Sequence, residues 1–131
     1  MKYTQTQKEA IVSLVIEMIN ADHLVTLEEL KESNLINHEL EITDELFTVG
    51  YALDTDFAIK IVKEMSDEQK LNVGLLLTRI IDADEAVHDE FTLFNAICEK
   101  TGIDIVIHER EKTRQLTKKA RSAQGDNPRI Q

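Results

Sequence analysis

The sequence predicts an all-α fold, and three observations carry that prediction. Only four glycines and one proline punctuate 131 residues, so long elements run uninterrupted. Two segments of helix length, 6–21 and 66–83, are apolar on nearly every face, as helices buried at the centre of a domain are. Ser, Thr or Asp stands just ahead of several periodic segments, where its side-chain oxygen accepts the unpaired N–H groups of a first helical turn.

The first helix, 6–21, carries Ala10, Ile11, Val12, Leu14, Val15, Ile16, Met18 and Ile19. Thr26 caps a second, Leu27 to Ser33, rich in Glu and Leu. Thr43 caps a third, Asp44 to Leu53, with two acids in its first turn, where free N–H groups favour them. Asp54 or Thr55 opens a fourth that buries Phe57, Ala58, Ile61, Val62 and Met65. Ser66 and Gln69 have capping-box spacing and start a fifth through Leu71, Val73, Leu75, Leu76, Leu77, Ile80 and Ile81. A sixth runs from about Asp89 to Lys100 and stops at Gly102, since glycine accepts the left-handed turn after a helix. Residues 39–42 and 103–107 alternate or cluster β-branched side chains and read either as extended segments or as connectors and helix starts.

Composition bounds the function classes. Apolar residues make up 42% and charged ones 31%, a globular balance in a length that suits one domain. A single cysteine, Cys98, excludes an intramolecular disulfide framework and fits a reducing compartment. No apolar run reaches the roughly 20 residues of a membrane span. The polar opening Met1 to Gln7, with Glu17 inside the apolar segment that follows, argues against a secretory signal and for a cytoplasmic protein. At net charge −10, nucleic acid and anionic membranes are not expected partners.

The charge is uneven. Residues 108–131 carry +4 and residues 1–107 carry −14, and apolar content collapses after Ile107. The division expected is therefore a helical domain over 1–107, then a basic, polar C-terminal helix that frays into a disordered tail from Ser122. Arg110, Lys112, Arg114, Lys118, Lys119 and Arg121 form either a basic arm for an acidic partner, a second copy included, or a plain solvated face.

An internal repeat is the most informative feature. Shifted by 62 positions, residues 14–28 fall on 76–90 with six identities in 15: Leu14/Leu76, Ile19/Ile81, Ala21/Ala83, Asp22/Asp84, Val25/Val87 and Glu28/Glu90. The repeats, about 6–54 and 66–104, predict one core with approximate two-fold symmetry around the two apolar helices. Each copy reads as a buried helix, then Asn/Asp-Ala-Asp-x-x-Val-x-x-Glu, then a second helix. Carboxylates gathered at such a corner suit a hard cation such as Ca²⁺ or Mg²⁺. The same carboxylates also serve as backbone caps without any metal. An EF-hand is excluded, because the sixth position is Val25 or Val87 and the twelfth Lys31 or Leu93. His23 and His88 lie in or beside the corners, where they act as ligands or as ordinary surface residues.

Both copies resemble the Ala-Asp-Gly-x-Val-x-x-x-Glu signature of the TerB-like, tellurite-resistance-associated domain. The second half extends the likeness through Met65 to Lys70, Ile81 to Asp84 and Ile97 to Ile103, so it covers roughly residues 8–104. The resemblance implies two multi-helix halves in a stress-associated binding module with acidic, metal-binding motifs and no enzymatic chemistry. His23 and Glu85 replace the signature glycine; Glu29 keeps the signature's Glu spacing, while Phe91 takes it in the second copy and Glu90 falls one residue early.

No Gly-x-Ser-x-Gly, Walker or dinucleotide motif is present, and Cys98 reads as core rather than nucleophile. The expectation is a non-catalytic protein-interaction or scaffold module with a protein partner or a second copy. The alternative is a divalent-cation binder or sensor using Asp22, Glu28, Glu29, Asp84 and Glu90.

Overall fold

The computed structural model describes residues 1–21, 24–83 and 88–126. Its described residues form seven helices and no strand: α1 (Gln5–Ile19), α2 (Leu27–Glu39), α3 (Asp44–Ala52), α4 (Thr55–Lys63), α5 (Asp67–Asp82), α6 (His88–Thr101) and α7 (Ile103–Asp126). The all-α expectation holds, and the chain forms one domain.

The helix starts follow the caps written into the sequence. Thr26, Thr43, Asp54 and Ser66 each accept a backbone N–H of the turn they open. Thr4 does the same for α1, and with Gln7 it completes a capping box like that of Ser66 and Gln69. These two boxes stand 62 residues apart and touch. The Gln69 amide donates to Gln7 Oε1 at 3.3 Å and to the Lys2 carbonyl at 2.9 Å. Tyr3 joins them, accepting from the Asn72 amide at 2.7 Å.

α1 and α5 supply much of the core. Ile11, Leu14, Val15, Met18 and Ile19 on α1 pack with Val73, Leu76, Leu77, Ile80 and Ile81 on α5, joined by Ile36, Ala58, Val62, Ile97, Cys98 and Ile103 from other helices. α3 and α4 cover α1. There the α1–α3 approach needs Gly50, because a Cβ at that position would lie 2.6 Å from Val12 Cβ and 2.7 Å from the Glu9 carbonyl oxygen.

The structure corrects several boundaries. α2 runs on to Glu39 rather than stopping at Ser33, because its inner face continues through Ile36. Residues 40–42 form a tight helix end instead of an extended segment, with the Ile42 N–H bonded to the Asn37 carbonyl. Residues 103–107 are helical: Gly102, at φ +84°, ends α6, and the chain re-enters helix at once with Ile103 and Val106 buried. The composition boundary at 107/108 therefore falls inside α7, and residues 122–126, expected to be loose tail, belong to that helix. Phe57, expected in the core, is 51% exposed, because α4 turns Ala58 and Val62 inward instead.

Candidate functional site

Two regions were singled out by sequence, the helix corners and the basic arm. At the first corner Thr26 caps α2, and its backbone N–H and hydroxyl both donate to Glu29 Oε1, at 3.1 and 3.2 Å. Glu29 returns its own N–H to the Thr26 hydroxyl at 3.1 Å. The Glu29 side chain is only 1% exposed, so this carboxylate serves as half of a capping box. Glu28, beside it, points outward. Glu90, in the first turn of α6, is 2% exposed and thus also buried. Asp22 and Asp84, with His23 and Glu85, lie outside the described residues. Among the described residues, no three His, Cys, Asp or Glu side chains gather as a metal site would require.

The arm is α7. Its first turns lie against α5 in the opposite chain direction: Ile103 packs at Gly74, and Arg110 pairs with Glu68 at the start of α5. Beyond Val106 no side chain through Arg121 is buried. That stretch of 15 residues spans about 22 Å of helix. Arg110, Arg114, Lys118 and Arg121 recur at helical spacing and continue the stripe that buries Ile103 and Val106. Ile105, Lys112, Leu116 and Lys119 form a second stripe facing away from the body, with Ile105 and Leu116 exposed.

Clefts flank the root of the arm. One of about 460 Å³ is lined by Leu71, Ile107, Arg110 and Arg114, and another of about 340 Å³ by Phe94, Cys98, Asp104 and His108. Burial, with help from the Asp104 charge, pushes the Cys98 thiol up to about 11, so it stays protonated and inert at neutral pH.

With this geometry in place, comparison with known proteins gives a fold and no more. No family model matches the chain, and no curated protein does. The fold has a solved counterpart. One such structure is PG1108, a protein of unknown function from Porphyromonas gingivalis, similar at a TM-score of 0.69 and 20% identity over 79% of this chain and 88% of that one.

Sequence reasoning missed two features of α2. Arg79 on α5 reaches across to it, with Nε on Glu32 Oε2 at 2.7 Å and both terminal nitrogens on the Glu39 carboxylate at 2.8 Å. Glu32 and Glu39 lie seven residues apart on one helical stripe, a readable signal for a shared cation. The other is the outward face of α2, where Leu27, Leu30 and Leu35 are all exposed. Glu29, Ser33 and Ile36 hold the inner face instead.

Proposed function

We propose that this chain is a non-catalytic protein-interaction module of the TerB-like kind, with α7 as its contact element. The observation that carries the reading is the 15-residue stretch of α7 that stays helical with no buried side chain and presents six cations. An isolated polar helix gains little from its own packing, so a charge-complementary surface is what such an arm suits. The acidic remainder of the chain disfavours nucleic acid, while the cations of α7 favour an acidic protein surface as the ligand. The chain's one cysteine, Cys98, fits a reducing, cytoplasmic setting.

The test is fluorescence anisotropy of labelled poly-L-glutamate, a stand-in for an acidic surface, titrated with the full chain at low and high NaCl. Binding should weaken with salt and fall about tenfold in Lys112→Glu/Lys118→Glu/Lys119→Glu. Binding that ignores both salt and charge reversal refutes the reading.

A second reading, a divalent-cation site at the corners, draws on the near-complete burial of Glu29 and Glu90. Thermal unfolding after chelation, then with Ca²⁺, Mg²⁺, Mn²⁺ or Zn²⁺ added back, tests it. A midpoint that rises with one ion, and no longer does so in Asp84→Ala, supports the site; a flat response to all four removes it.

A further inference from the structure

The outward face of α2 sets three leucines among exposed Lys31, Asn34 and His38, with acidic residues at its ends. Leu27, Leu30 and Leu35 are 62%, 46% and 53% exposed and spread over an arc of about 140°. Exposed Glu28 stands at one end of this face, and exposed Glu41, Asp44 and Glu45 follow the other. Grouped leucines left in water mark a contact surface on a small domain. The outward stripe of α7 has the complementary order: Leu116, 62% exposed, is bracketed by Lys112 on one side and by Lys119 on the other. The lengths also agree, since α2 spans about 20 Å and the exposed part of α7 about 22 Å.

Within one chain the two faces are kept apart. α2 is tied to the later turns of α5 through Arg79. α7 runs the other way along α5, from Gly74 back to Glu68, so its remaining turns project past the start of α5 and away from α2. We propose that α7 of one copy lies along the Leu27–Leu30–Leu35 face of α2 in a second copy, and reciprocally, so that two arms close a symmetric dimer. This rests on the reading of α7 as a contact element and names its partner. Each arm would shield the leucines of the other copy, with Lys112 and Lys119 meeting the acidic ends of α2.

Sedimentation equilibrium of the full chain over a concentration series at low salt tests the proposal. A reversible dimer is expected, weakened by NaCl. Leu116→Asp and Leu27→Asp/Leu30→Asp should each weaken it about tenfold or more, while circular dichroism stays unchanged because these side chains are solvent-exposed. The decisive sample is an equimolar mixture of the two variants. Each retains the face the other lacks, so one intact contact should form and the mixed dimer should exceed either variant alone. A chain that stays monomeric at every concentration overturns the proposal, and so does a dimer that both variants retain or a mixture with no recovery. If the chain is monomeric yet binds poly-L-glutamate through α7, only the second-copy partner falls. If it does neither, the contact-element reading falls with it.

Discussion

Glu41 occupies a position that favours glycine. It follows the end of α2 at φ +56°, in a turn closed by the Glu41 N–H to the His38 carbonyl and the Ile42 N–H to the Asn37 carbonyl. A side chain in the left-handed region is strained, so Glu41→Gly should stabilise the fold by about 1 kcal/mol, read as a higher urea midpoint at constant m-value. Gly50 is the opposite case. Its missing Cβ makes room for Val12 and for the backbone of Glu9, which cannot swing aside. Gly50→Ala should therefore cost about 2–3 kcal/mol by the same measurement. Gly102 was legible as a helix end because glycine is the usual residue there. Glu41 was not, since nothing in a glutamate signals a positive φ.

α2 is more lightly held than α1. Its buried side chains are Glu29, Ser33 and Ile36, so a cap, a hydroxyl and one isoleucine stand where α1 has eight buried residues. The Arg79 fork compensates. Its hydrogen bonds hold the Glu39 carboxyl below the usual carboxylate range and hold the guanidinium more firmly protonated. Because the Glu39 pKa is lowered by folding, its contribution is present at neutral pH and is lost as pH falls through and below the usual carboxylate range, near about 4.3. Hydrogen exchange should show α2 less protected than α1 and α5 at neutral pH. Arg79→Ala should lower protection in α2 while leaving α1 unchanged, and Glu39→Gln should flatten the acid limb of the stability curve. Uniform protection across the three helices would contradict this account. The caps that start these helices were readable in sequence because capping is local. Of the fork, only the Glu32 and Glu39 stripe was readable; its cation, Arg79, was not, because it lies 47 and 40 positions away.

At the scale of the whole molecule, a large share of the interior is one apolar cluster. Leu77→Ala, at its centre, should cost about 3 kcal/mol in chemical unfolding, whereas Phe57→Ala should cost under about 1 kcal/mol. The fold class was legible because α1 and α5 are apolar on most sides, and burial on those sides accommodates that, although Leu75 of α5 is 62% exposed. The candidate site was legible only in part. A run of cations marks α7 whatever its surroundings. Whether the leucines of α2 face inward or outward depends on which helices pack beside it, and no local spacing records that. The touching capping boxes have an electrical consequence. α1 and α5 begin side by side, so the positive ends of two helix dipoles, each worth roughly half a charge, sit together instead of cancelling as in an antiparallel pair. Asp67 and Glu68 in the first turn of α5 outweigh these two partial charges, and the cations of α7, which pairs with Glu68 through Arg110 and projects past the same end, tip the balance back. A protein with a net charge of −10 thus keeps one positively polarised end, giving it a molecular dipole moment that can orient it in the field of another charged macromolecule before any side chain touches.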